Sequence, residues 1–159
     1  MIILRDYQNE AVASVYDYWK TGRGSNPLIV APTGSGKSLI VADLCRSAIK
    51  MSPSVRILIL THKQELISQN YLELKNLYPE CEAGVFSAGL NRKDKHQNVI
   101  FAGIQSIAKK IHTFEPFNIV IVDEAHTIPK KSDTQYGQAK ETLLLMNPKV
   151  KFVGLTATP

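Results

Sequence analysis

Short runs of aliphatic and β-branched residues alternate along this chain with stretches of helical period. Leu28, Ile29 and Val30 follow the turn-forming Gly24, Ser25, Asn26 and Pro27, and predict a short buried strand. Ile119, Val120, Ile121 and Val122 are four β-branched residues in a row, the mark of a strand covered on both faces in a parallel sheet. Residues 56–60, 83–86, 99–102 and 151–155 read as further strands. Helical spacing occupies 38–51, 63–77, 104–111 and 135–146, with Pro79 stopping the second of these. An opening helix, capped by Asp6, carries Val12, Val15, Tyr16 and Trp19 on its apolar face. Strands alternating with helices predict an α/β fold, a doubly wound and mostly parallel sheet with right-handed crossovers. The chain shows no internal repeat and no low-complexity tract.

Two junctions in this pattern carry chemistry. Between the strand at 28–30 and the helix after Ser38 lie Ala31, Pro32, Thr33, Gly34, Ser35, Gly36 and Lys37. A glycine-containing turn from strand to helix is the setting of a phosphate-binding loop. Gly34 and Gly36 let backbone N–H groups curl around an anion, and the helix N-terminus adds its partial positive charge. Lys37 can reach the β- and γ-phosphates, and the Ser38 hydroxyl can ligate Mg²⁺. The usual pattern opens with glycine; here Ala31 stands first. The second junction, Asp123 and Glu124, directly follows the 119–122 strand, at the carboxyl edge where open α/β sheets bind ligands. Asp123 is placed to hold Mg²⁺, and Glu124 to orient and deprotonate a water. The two junctions together predict hydrolysis of a nucleoside triphosphate held with Mg²⁺.

Composition narrows this little. A chain of 159 residues suits one domain and can bury roughly 70% of its unfolded surface. A net charge of +5 permits an anionic partner without requiring one. No apolar run approaches a membrane span, and the first five residues are too short for a secretory signal, so a cytoplasmic protein without a membrane partner is expected. Cys45 and Cys81 lack metal spacing and read as inert thiols, and His62, His96, His112 and His126 lack ligand spacing too. No metal site beyond Mg²⁺ is expected.

The ordered motifs resemble those of the first motor domain of superfamily 2 helicases, the RecA-like P-loop domain that binds ATP, over nearly the whole chain. Leu4, Arg5, Asp6, Tyr7 and Gln8 resemble the adenine-reading Q motif, and residues 31–38 resemble motif I in an Ala-first form. The run from Thr61 to Leu66 resembles motif Ia, and Ala102, Gly103, Ile104, Gln105 and Ser106 resemble a later strand-binding motif. Asp123, Glu124, Ala125 and His126 spell motif II (the DEAH box), and residues 155–159 motif III. The combination looks closest to bacterial and phage DNA-repair ATPases, RadD-like proteins and their phage, UvsW-like relatives first, with the motor subunits of type III restriction enzymes as further neighbours. RNA helicases named for the DEAH spelling generally lack the Q motif.

The resemblance implies roles by position. Gln8 would pair with the adenine edge, with Arg5 flanking the base. Pro32, Thr33, Gly34, Ser35, Gly36, Lys37 and Ser38 would hold the phosphates, with Ser38 and Asp123 on the metal. Lys37, Asp123, Glu124 and His126 would form the catalytic set, and Thr156 and Thr158 would relay nucleotide state. His62, Lys63, Gln64, Ser87, Gly89, Gln105 and Ser106 would contact a nucleic-acid backbone, DNA in preference to RNA. The basic residues 92–96 could add electrostatic attraction or form a solvated loop, while Lys109, Lys110, Lys130 and Lys131 read as solvated faces. Residues 1–159 would thus form the helicase ATP-binding domain, and a second RecA-like domain with arginine fingers is expected in a longer protein. The function implied is coupling of ATP hydrolysis to movement on, or remodelling of, DNA. The alternatives are a nucleic-acid-regulated ATPase switch, the motor of a type III restriction-like enzyme, an RNA helicase, or a small-molecule kinase, which has no use for the motif III string.

Overall fold

The computed structural model describes residues 6–21, 27–30, 36–124 and 134–156. The strands are β1 (Leu28–Val30), β2 (Ile57–Thr61), β3 (Ala83–Ser87), β4 (Arg92–Lys93), β5 (Val99–Gly103), β6 (Ile119–Asp123) and β7 (Lys151–Thr156). The helices are α1 (Asp6–Lys20), α2 (Lys37–Met51), α3 (Gln64–Leu77), α4 (Ile104–Ile107) and α5 (Gln135–Met146). One sheet of seven strands forms in the order β1-β7-β6-β2-β5-β3-β4. Every pairing is parallel except β3 with β4.

The strand runs are continuously apolar because both faces are covered. Along β2, Ile57 and Ile59 enter one core with α1, α2 and α3, whereas Leu58 and Leu60 enter the other with α4 and α5. Every residue of β2 and of β5 is buried. At about 25 cal/mol per Å² of apolar area removed from water, these central strands supply much of the driving force for folding. Period-two alternation within an all-apolar run is what a doubly covered sheet requires.

Three local expectations change. Asp6 lies within the first turn of α1 rather than capping it, where its charge still suits the helix N-terminus. The helix expected over 104–111 is α4 followed by tighter turns. Lys110 N donates to Ile107 O and Phe114 N to Ile111 O, three residues back, and Ile111–Thr113 is a 3₁₀ turn. A repeat of three places Ile111 and Phe114 on one side, and both are buried against the sheet. Strand β4 carries no apolar pattern and was not expected. It forms because β3 would otherwise present a free edge, and its two residues pair there with Phe86 and Ser87.

Parallel pairing aligns the strand ends. Val30 lies opposite Thr156, Asp123 opposite Leu155, and Thr61 opposite Gly103. The ends of β1, β2, β5, β6 and β7 therefore open onto one edge, where α2, α3 and α4 begin. No described helix is long and apolar enough to cross a membrane.

Candidate functional site

Helix α2 starts at this edge with Gly36 as its cap. Gly36 has φ +78°, left-handed backbone that glycine adopts at little steric cost. A Cβ there would lie 2.1 Å from Gln8 Nε2, so the side chain of α1 closes against the loop end only because Gly36 has none. Gln8 is 2% exposed, and its Nε2 donates to Gly36 O at 3.2 Å. The amides of Lys37 and Ser38, in the first turn, have no intrahelical partner by construction, and they face the edge with the positive end of the helix dipole.

From that turn Lys37 Nζ reaches Glu124 Oε1 at 3.2 Å and Asp123 Oδ1 at 3.9 Å. Asp123 ends β6 and is 3% exposed, a burial that an ionised carboxylate tolerates only with partners. Its Oδ2 accepts from Asn70 Nδ2 on α3 at 2.9 Å, and its Oδ1 accepts from the Glu124 backbone N–H at 2.9 Å. Glu124 has φ +58°, left-handed backbone that is costly for a residue with a Cβ, the kind of strain often stored at functional sites. Tyr136, in the first turn of α5, adds a buried hydroxyl for which the described residues offer no hydrogen-bond partner. Burial and the charge of Asp123 push that phenol up to about 12.

The donor set fits magnesium. A buried carboxylate and a hydroxyl on the facing helix are hard oxygen ligands, and Mg²⁺ is commonly held by one or two protein oxygens with phosphates and water completing the shell. Among the described residues no group of three or more His, Cys, Asp or Glu gathers. Cys45 and Cys81 are buried and free, and burial pushes both thiols up, that of Cys81 to about 11, which keeps them protonated and unreactive.

A second cluster lies along the same edge. Gln64 Nε2, at the start of α3, donates to Gly89 O at 3.4 Å, and Ser106 Oγ, in α4, accepts from Ala88 N at 3.0 Å. Ser87 is buried and its Oγ accepts from Leu90 N, so its hydroxyl is turned into its own loop. Lys63, Gln64, Gly89 and Gln105 are exposed, and His62 is half-buried. Thr156 is 1% exposed at the end of β7. Arg5, Pro32, Thr33, Gly34, Ser35, His126 and Thr158 lie outside the described residues, as do Lys130 and Lys131.

The basic run at 92–96 is partly engaged by its own chain. Arg92 pairs with Asp94 and lies over the Tyr71 ring at 5.1 Å. Lys95 Nζ donates to Thr113 Oγ1 and sits 5.2 Å from the centre of the Phe114 ring. Arg92 and Lys95 are thus engaged by groups of their own chain, while Lys93 and His96 are exposed. Lys110, expected on a solvated face, is exposed as expected but also lies 5.8 Å from the Phe86 ring.

Asn70 is the site residue that sequence reasoning missed. Its signal was present: a polar side chain between Ile67 and Leu74 on the buried stripe of α3. Tyr136 gave no such signal.

With this geometry in hand, the comparisons with known proteins are decisive. A family profile described as ResIII (Type III restriction enzyme, res subunit) matches residues 1–159. The chain belongs to the ResIII family. Its fold is the N-terminal RecA-like domain of superfamily 2 helicases. Among the ResIII chain's relatives, IRC3 of Saccharomyces cerevisiae is 27% identical over 131 residues, 78% of this chain and 19% of IRC3. The UvsW helicase of Bacteriophage T4 superposes with a TM-score of 0.75 at 21% identity, covering 98% of this chain and 53% of that one. The Sulfolobus solfataricus SWI2/SNF2 ATPase core, solved in complex with dsDNA, gives 0.72 at 18% identity, covering 99% of this chain and 32% of that one. The ResIII chain thus spans about a fifth of the length of IRC3 and about half of the UvsW chain or less in these solved structures.

Proposed function

We propose that this chain is the ATP-binding half of an ATP-dependent DNA helicase or translocase. The observation that carries the reading is the meeting of Lys37 with Asp123 and Glu124 across the sheet edge. A cation on a phosphate-loop helix facing two carboxylates is the minimal equipment for nucleoside triphosphate hydrolysis.

Lys37 would exchange its carboxylate partners for the β- and γ-phosphate oxygens, joined by backbone amides of residues 33–38, with Pro32 opening the loop. Ser38 and Asp123 would hold Mg²⁺, which when bound neutralises charge developing on the transferred phosphoryl group. Glu124, freed from Lys37, would orient a water and take its proton. Gln8, already against Gly36, would read the adenine edge, with Arg5 flanking the base. His126, Thr156 and Thr158 would pass nucleotide state along the edge to the Gln64, Gly89 and Ser106 cluster. There exposed polar groups and helix N-termini suit a sequence-independent grip on phosphates. The dsDNA bound to the SWI2/SNF2 core supports DNA as the strand. The family description favours one alternative in particular, the motor of a type III restriction-like enzyme.

A second RecA-like domain, in a longer protein, would complete the cleft with arginine fingers. This chain alone should therefore turn over below about 1 s⁻¹, the low end of ordinary enzymes. The deciding experiment is a DNA titration of the full-length protein's ATPase at low salt. The motor reading expects the rate to rise with DNA and fall with salt. A rate indifferent to both DNA and RNA overturns it in favour of a switch. Glu124→Gln should retain ATP and DNA binding while turnover falls by about 10²-fold or more, as loss of a general base predicts.

A further inference from the structure

Asn70 stands where α3 should be apolar. Ile67, Asn70 and Leu74 form the buried stripe of this helix, each 2% exposed or less. A leucine would suit the packing, yet an amide is there, and its Nδ2 donates to Asp123 Oδ2 at 2.9 Å. The other oxygen of Asp123 accepts from the Glu124 amide. An ionised carboxylate has about four acceptor sites. Two donors from two directions therefore fix its plane and still leave lone pairs for a cation.

Helix α3 also begins at the proposed nucleic-acid edge, where Gln64 reaches Gly89. Gln64 and Asn70 are separated by about 9 Å of helix at 1.5 Å per residue, too short a rod to bend. A shift of the first turn must therefore move the amide that holds Asp123.

We propose that Asn70 is the positioning residue for the metal-holding carboxylate, and that through it α3 couples the nucleic-acid edge to the metal. The inference rests on the ATPase reading above and adds to it a route that runs beside the one at the end of β7. Linkage makes the coupling reciprocal: whatever a strand does to metal–nucleotide affinity, the metal–nucleotide complex does to strand affinity.

The test is titration calorimetry of ATP into this chain, with Mg²⁺ and with EDTA, comparing wild type with Asn70→Leu. Asn70→Ala serves as the second variant in case leucine overpacks the stripe. In both variants the affinity gained from Mg²⁺ should fall about tenfold, a change of one decade in binding constant, while metal-free affinity stays within about twofold. A purely structural role would lower the melting midpoint and leave the magnesium gain intact, and that result overturns the positioning. For the coupling, a 20-nucleotide oligo-dT is added as the strand. It should change the magnesium–ATP affinity of wild type and leave that of the variants unchanged, with equal strand affinity in the absence of nucleotide. Linkage that survives in the variants, or is absent from a wild type with intact magnesium dependence, overturns the coupling. No magnesium-dependent ATP binding by wild type overturns the ATPase reading and this inference with it. Magnesium dependence undiminished in both variants overturns the inference alone.

Discussion

Lys37 and Lys95 are both half-buried lysines, and their surroundings differ in kind. Lys37 faces two carboxylates that lie 86 and 87 residues further along the chain (123 − 37 and 124 − 37), one of them on a strained left-handed backbone. Lys95 donates to the hydroxyl of Thr113, 18 residues away, and rests over aromatic rings. Its neighbour Arg56, 8% exposed, donates to the carbonyls of Gln97 and Lys95 and lies over Phe117. In the second region the cations hold the chain to itself, through carbonyls, hydroxyls and rings that no substrate would displace. In the first, on the function proposed above, the cation is held by groups that a magnesium nucleotide would take over. A basic residue signals function here when its partners are exchangeable, and density of positive charge in the sequence is a poor guide to that.

The sharpest break would come from Lys37→Ala. It should weaken ATP by about 100-fold, matching roughly 3 kcal/mol for a lost charge-assisted contact, by titration calorimetry. A loss under fivefold would erase the distinction drawn for Lys37. Next in size, Arg56→Met should cost about 2 kcal/mol of stability, since it leaves two inward carbonyls without their donor. Urea unfolding measures this, and ATP affinity should be unchanged; a nucleotide defect without a stability defect would place Arg56 with the first region. Gln8→Ala should lower ATP affinity by a few-fold, about 1 kcal/mol for one neutral hydrogen bond, and GTP less. Equal losses for both nucleotides would leave Gln8 with a structural role, its bond to Gly36 included. The smallest effect belongs to Arg92→Ala, whose ion pair is partly exposed, the side chain being 41% accessible. Stability should change by no more than about 0.5 kcal/mol, and the salt dependence of DNA binding should keep its slope. A slope reduced by about one, the signature of one lost phosphate contact, would restore the basic run to the nucleic-acid surface.

Most of the fold was legible because a doubly covered strand must be apolar throughout. The run from Ile119 to Val122 could be little else, and β2, β3, β5 and β7 were read within a residue or two by the same argument. Strand β4 was not legible, since Arg92 and Lys93 have no pattern of their own and become a strand only beside the open edge of β3. The turns after α4 were read as continuous helix because buried positions at 104, 107, 108 and 111 fit that period until hydrogen bonding tightens.

By itself the sequence determined most of the strands and helices, β4 and the turns after α4 apart, and it marked Lys37, Asp123 and Glu124 as candidate chemistry. These are local facts: periodicity, β-branching, and glycine where an anion must come close. Only the tertiary structure decided that Asn70 meets Asp123 across 53 residues, that Gln8 seats against Gly36, and that the cations at 92 and 95 are already engaged. Those contacts depend on strand order and on the parallel alignment of strand ends. No local pattern encodes which neighbour a strand will choose, because that choice is made by the packing of the whole sheet.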